Sequence, residues 1–347
     1  MTTMKDVARA AGVSVATVSL VLNGREAGRV KPAMAERVRE AARALDYRFN
    51  ATARTLRTNA SRMLGLVSLE VATTPYAGAI IGGAQAAAAR LGYVLTVVNA
   101  DGEADLDAEI ASLDRYGIDG LLFSAMNNRV VDISDTLAAH PLVLADAVDR
   151  QERFPAIVPD EERIGYDATC RLIEAGLTRI AYLGCSTPMV AQGERFDGYR
   201  RALEEHGIAY DESLVCDVLY NDAALARVER LFDEGRPDGV FCFNDSRAWY
   251  AYQCAAERGL KVGRDVSVVG VDNHPVVSET FSPRLTTIEL PHFEMGYWGV
   301  CKLVSLIRGH DVAMDDAPAT TAPLPPLDEA SPAKVHCTLL ERGSVRP

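Results

Sequence analysis

From residue 64 onward, short apolar runs alternate with helical stretches, many of which stop at a glycine. Residues 64–69 and 93–99 read as strands around a helix at 77–91 that ends at Gly92. A helix at 106–116, stopped by Gly117, is followed by strands at 120–123 and 142–145. The rhythm restarts after Pro159, with helices at 164–175, 196–206, 223–234 and 246–258. Between and after them come strands at 179–183, 214–218, 239–243 and 266–271. These strand runs are apolar throughout, as parallel strands covered on both faces must be. Two such units in succession predict an α/β body of two doubly wound parallel-sheet lobes. Ligands in such sheets bind at the carboxyl ends of the strands.

The charge is unevenly spread. The 347 residues carry a formal net charge of −12. Residues 1–62 hold 12 basic and 5 acidic side chains, a formal +7, which leaves −19 on residues 63–347. A small basic head on an acidic body is expected where only the head meets a polyanion. The plainer reading is a solvated basic face, and the local pattern decides between them.

That pattern is a helix-turn-helix. Thr3 and Asp6 suit a cap and its third-position partner, Gly12 a left-handed stop, and Ser14 the cap of a second helix running to about Leu22. A third helix starts at Pro32 with the apolar stripe Met34, Ala35, Val38, Ala41, Ala42 and Leu45. Beyond it, Asn50 can cap a two-turn helix carrying Arg54, Leu56 and Arg57, too short to be stable alone in water. This segment reads either as a linker with one stray leucine or as one that folds on DNA and wedges Leu56 into the minor groove.

The run from Asp6 to Asn23, D-V-A-x-x-A-G-V-S-x-x-T-V-S-x-V-L-N, followed by A-R-x-L-R-T, resembles the LacI–GalR family of bacterial transcriptional regulators. The resemblance implies a small all-α head, residues 1–47, and a hinge, 48–62. It also implies a periplasmic-binding-protein-like body for effector binding and dimerisation, 63–347. Lobe 1 would comprise about 63–162 and 292–322, and lobe 2 about 163–291 and 323–347. The helix opening at Ser14 would lie in the major groove. DNA contacts would come from Ser14, Val15, Ala16, Thr17, Ser19, Leu20 and Asn23, with Arg54, Leu56 and Arg57 at the hinge. Leu20 replaces an arginine common in the family and loses its bidentate contact to guanine. Lys31 stands where a capping serine or threonine is usual.

Further matches are the runs 193–199, 243–245, 268–272, 285–288 and 342–344, so the likeness spans the chain. In that fold the chain crosses between lobes three times, here near 159–164, near 289–293 and after the helix ending near Gly309. The segment 311–334, rich in Ala, Pro and acid, reads as an exposed loop. By the same resemblance, effector contacts would be Arg195, Asn244, Asp272, Phe293 and Tyr220, with Asp146 and Tyr76 from the first lobe. Each has a plainer alternative. Arg195 could pair with Asp197 or Glu194 at the surface, Asn244 could serve only as a helix cap, and Phe293 and Tyr76 could belong to the core.

Other classes fit less well. The chain shows no G-x-x-x-x-G-K-[ST], G-x-G-x-x-G, H-E-x-x-H or G-x-S-x-G, and the His274/Asp272 pair has no nearby nucleophile. No enzyme, cofactor or metal is expected. Seven scattered cysteines with no C-x-x-C pair read as buried free thiols. No apolar run reaches the ~18 residues of a membrane span, and the N-terminus lacks a signal-peptide core. A secreted sugar-binding protein would share the lobes but not the DNA-binding head. The expectation is a cytoplasmic homodimeric regulator, a repressor, on a palindromic double-stranded operator. Its small-molecule effector would be a sugar first and a nucleobase or nucleoside second.

Overall fold

The structure is a computed structural model that describes residues 2–22, 24, 26–47, 60–74, 77–100, 102, 105–314 and 317–347. It divides into two compact units, Met1–Ser61 and Arg62–Pro347.

The first unit has helices α1 (Met4–Ala11), α2 (Val15–Leu22) and α3 (Pro32–Ala44). Thr3 and Asp6 form a reciprocal capping box, and Gly12 ends α1 at φ 64°. The Thr17 amide donates to Ser14 Oγ at 3.1 Å and so starts α2. Lys31 makes no side-chain cap for α3. Val7, Ala8, Ala11, Val18, Val21, Ala35, Val38 and Ala42 are the buried core. Because these side chains are small, three short helices can approach closely enough to share one core.

The second unit contains two six-stranded sheets. The first comprises β1 (Met63–Leu69), β2 (Val94–Ala100), β3 (Gly120–Val131), β4 (Leu142–Asp149), β5 (Ala156–Pro159) and, from far along the chain, β11 (Ala333–Val335). Its order is β11-β5-β4-β3-β1-β2. The second comprises β6 (Ile180–Cys185), β7 (Val215–Val218), β8 (Gly239–Cys242), β9 (Ser267–Val271), β10 (Thr286–Glu289) and β12 (Thr338–Leu340), in the order β12-β10-β9-β8-β6-β7. The two orders correspond strand for strand. All pairings are parallel except β10 with β12.

The helices that cover the sheets are α4 (Gly78–Leu91), α5 (Leu106–Asp114), α6 (Asp135–Ala138), α7 (Glu161–Glu174), α8 (Val190–Glu205), α9 (Asp222–Arg230), α10 (Asp245–Glu257), α11 (Pro275–Ser278) and α12 (His292–Arg308). Two helix pairs cross backbone against backbone. A Cβ on Gly83 of α4 would lie 1.9 Å from the Phe293 carbonyl oxygen, and one on Gly296 of α12 would lie 1.9 Å from that of Ile80. In the other lobe, a Cβ on Gly165 of α7 would lie 2.0 Å from the Arg195 oxygen, and one on Gly198 of α8 would lie 2.0 Å from that of Glu162.

Three expectations are corrected. Residues 323–335 belong with the first lobe, because β11 pairs with β5. The third crossing therefore falls between Val335 and Thr338, not after Gly309. The last strand is β12, just before residues 342–344. Nor is 311–334 simply an exposed loop: Val312, Ala322, Leu327 and Ala333 pack into the first lobe's core. Its backbone is held by one stripe of α12. Glu294 Oε1 accepts the amides of Thr321 and Ala322, Trp298 Nε1 donates to the Pro325 carbonyl, and Lys302 Nζ donates to that of Leu327. Without regular structure, side chains i, i+4 and i+8 of a neighbouring helix satisfy this segment's polar groups. Such a partnership leaves no periodicity in the segment itself.

All seven cysteines are free, and six of them are buried. Among the described residues, no helix is long and apolar enough to cross a membrane.

Candidate functional site

The polar residues that matter most sit at strand ends facing from one lobe toward the other. Arg195, on α8, is 2% exposed. It is not a surface bridge to Asp197 or Glu194. Its Nε donates to Glu161 Oε2 at 2.6 Å, and Nη1 donates to the Phe243 carbonyl at 2.6 Å. Its guanidinium lies 4.5 Å from the centre of the Phe243 ring. Glu161 is 1% exposed and opens α7, directly after the first crossing. The α7–α8 glycine crossing brings these two ions together, and a buried pair of this kind requires such tight placement.

Asn244 follows β8. Its Oδ1 caps α10 by accepting the Arg247 amide at 3.1 Å, so the cap reading is correct. Asn244 also exchanges hydrogen bonds with the Tyr220 hydroxyl at 2.8 and 3.1 Å. Arg247, absent from the sequence reading, organises this corner. Its nitrogens donate to the carbonyls of Gly184 and Val218, to the Tyr220 hydroxyl and to Asn244 Oδ1. The guanidinium also covers one face of the Tyr220 ring at 4.5 Å.

Asp272 follows β9 with φ 110° and is 7% exposed. Its Oδ2 has no hydrogen-bond partner among the described residues. Burial, reinforced by neighbouring Asp245, holds its carboxyl well above the usual carboxylate range. Asp146 is the first lobe's counterpart. Rather than following a strand, it sits within β4 at φ 54°, opposite the irregular stretch of β3 between Ser124 and Arg129. Its two oxygens accept the amides of Asn127 and Asn128 at 3.1 and 2.7 Å. Burial, with Glu161 adding to it, pushes Asp146 up to about 8, although the two amides favour the charged form.

His292, at the second crossing, is fully buried, and desolvation, with Arg195 nearby, lowers it to about 4. Phe293 is half-buried, packs against the first lobe's core and stacks on Tyr297 at 6.3 Å. The structure therefore brings Arg195, Asn244, Tyr220 and Asp272 to the carboxyl ends of the second sheet, while Asp146 sits inside β4 of the first, beside the irregular stretch of β3. Phe293 joins the core. Tyr76 lies outside the described residues.

In the head, Ser14, Val15 and Ala16 are exposed at the first turn of α2, with Val15 at 40%. Thr17, Ser19 and Leu20 are half-buried, and Thr17 Oγ1 lies 2.9 Å from Ser14 Oγ. Asn23, Arg54, Leu56 and Arg57 lie outside the described residues. Glu161 and Arg247 were missed because each resembles an ordinary first-turn helix residue. The only available signal was position, since Glu161 lies two residues past the end of β5 and Arg247 in the first turn of the helix that follows β8.

Known proteins share this layout. Residues 3–50 match the family model of bacterial regulatory proteins, lacI family. Residues 61–323 match that of periplasmic binding proteins and the sugar binding domain of the LacI family. The HTH-type transcriptional repressor PurR of Vibrio atlanticus is 35% identical over 301 residues, covering 85% of this chain and 89% of its own length. The sucrose operon repressor of Shigella flexneri is 31% identical over 305 residues, covering 85% and 91%. Among solved structures, the transcriptional regulator CelR–cellobiose complex aligns over 99% of this chain and 100% of its own, with a TM-score of 0.63 and 27% identity. The lac repressor dimer bound to operator and the anti-inducer ONPF has a TM-score of 0.72 at 24% identity, covering 100% and 99%, a likeness of fold. With both domain models matched in order, and full-length relatives above 30% identity, the chain belongs to the LacI family of bacterial transcriptional regulators.

Proposed function

We propose that the protein is a homodimeric, cytoplasmic repressor of a carbohydrate-utilisation operon, released from a palindromic operator when a sugar binds between its lobes. It acts as a binding switch rather than by catalysis. In each head, Ser14, Val15 and Ala16 are offered to base edges, with Thr17, Ser19 and Leu20 beside them, and Asn23 adds a further DNA contact. Arg54 and Arg57 meet phosphates, and Leu56 opens the central step. The effector acts through its different affinity for two lobe arrangements, and no other route is available to it.

The observation that carries the sugar reading is the clustering of Arg195, Asn244, Tyr220 and Asp272 on one sheet's strand ends, opposite Asp146 on the other. Such an array pairs with vicinal hydroxyls. The relative named PurR gives a nucleobase reading its support. Against it, among the described residues one face of each aromatic candidate is already taken: Phe293 stacks on Tyr297, and Arg247 covers one face of Tyr220.

The test has two steps. Selection from random DNA should recover a palindrome whose binding weakens steeply with salt. Mono- and disaccharides, nucleobases and nucleosides are then screened for thermal shift and for release of that DNA. A ligand at ~100 times its Kd adds about 2.7 kcal/mol to the unit it binds. A sugar that shifts melting and releases DNA upholds the proposal. A nucleobase that shifts melting and tightens DNA binding replaces it with the second reading.

A further inference from the structure

The second lobe has another concave surface, away from the cleft. A pocket of about 180 Å³ opens beside the start of β7, the edge strand of the second sheet. Ser213, Val215 and Cys216 line one side of it, and Arg227, Arg230 and Glu234 line the other. Tyr220, by contrast, follows the carboxyl end of the same strand. Burial holds the Cys216 thiol above its ordinary range, so it is a neutral part of the wall.

The two arginines are not spent on the protein. Among the described residues, neither guanidinium makes a hydrogen bond or an ion pair. The carboxylates around them are turned elsewhere. Asp211 accepts the Ser213 amide at 3.0 Å and its hydroxyl at 2.6 Å. Asp217 accepts from Gln192 at 3.2 Å, and Asp233 pairs with Arg258 at 2.7 Å. Glu234 stands four residues beyond Arg230, the spacing at which a regular helix closes an ion pair, yet the two do not pair. After Arg230 the chain passes into a π turn, Leu231–Gly235. Turns of this kind are rare and gather at functional sites. The end of α9 favours cations through its dipole. Even so, two like charges three residues apart repel, and they gain from sharing one pocket only when an anion joins them.

We propose that this pocket binds a small phosphate monoester, held by the forked guanidiniums of Arg227 and Arg230. Planar guanidinium forks match phosphate oxygens two at a time. The ester brings roughly −1.5 to −2 charges, which two arginines balance and a single carboxylate would not. Glu234, exposed at the edge of the pocket, opposes that charge and limits the affinity. The site is independent of the sugar reading above, since it shares no residue with the cleft.

The test titrates the full-length protein by calorimetry with inorganic phosphate, glycerol 3-phosphate and ribose 5-phosphate, with glycerol and ribose as uncharged controls. Ionic strength is held constant so that general screening does not change. At least one phosphate compound is expected to bind. Arg227→Gln and Arg230→Gln, both at exposed positions, should each weaken that binding by about fivefold or more. The double variant should abolish it, with circular dichroism confirming the fold. Glu234→Gln should tighten it about twofold. Silence from all three phosphate compounds overturns the proposal. So does binding that persists undiminished in the double variant, because the anion then sits elsewhere.

Discussion

The two lobes share one plan and divide the work unequally. Each sheet has the same strand order, and each has a helix pair crossing at reciprocal glycines. Yet the second lobe carries Arg195, Asn244, Tyr220, Asp272 and Arg247, of which Asn244, Tyr220 and Arg247 hydrogen-bond one another. The first lobe offers Asp146, held only by backbone amides. The lesson is that scaffold and chemistry are separable. A common α/β frame can make one lobe the receptor and leave the other to close over it.

This comparison can be broken at several points. The largest effect should come from Arg195→Ala, which strands the buried Glu161 carboxylate and should cost the body about 3–5 kcal/mol. A denaturant midpoint that barely moves would show that Glu161 does not depend on the pair. Next are the glycines. Gly165→Ala and Gly83→Ala force a methyl group onto a carbonyl in equivalent places, so each should destabilise by about 3 kcal/mol or slightly more. Equal losses in thermal melts would sharpen the idea of a shared frame, and a large disparity would break it.

A smaller effect should appear with pH. Asp146 sits at about 8 in the folded protein against an ordinary 3.8, so between those values the native state holds a proton that the unfolded chain has released. That stabilisation is full at low pH and is lost as pH rises through 8. The body's melting temperature should fall between pH 6.5 and 8, and Asp146→Asn should flatten the slope. An unchanged slope would show that Asp146 does not hold that proton in the folded protein. The smallest effect belongs to Tyr220→Phe. It deletes the hydroxyl bridging Asn244 and Arg247 and should weaken effector binding by about 1 kcal/mol.

Much of this was legible in the sequence. The capping box of Thr3 and Asp6, the Gly12 stop and the Pro32 start could be read directly because caps and turns are local. The two lobes were legible because all-apolar strand runs bounded by glycine leave few other folds. Arg195, Asn244 and Asp272 were reached only by family resemblance. Glu161 was not reached at all, because nothing in Asp160-Glu161-Glu162 marks which carboxylate is buried. The 311–334 segment was misread for a related reason. Its partners, Glu294, Trp298 and Lys302, are far away in sequence and looked like ordinary helix residues. Sequence shows a residue's own preferences better than it shows what a distant element requires of it.

The glycine crossings bear on how the molecule can move. The first link between lobes runs from β5 straight into α7, and the second runs from β10 into α12. Both receiving helices are seated backbone on backbone, with no intervening side chain able to switch rotamer and absorb a displacement. Each behaves like a gear tooth cut without backlash. A tug on Arg195 is passed to α8 and α7 together, and the bending is left to the few residues around Asp160, Leu290 and His336. A switch assembled this way responds as a lever with short pivots, and stiffening any one pivot should dull the response without touching the ligand.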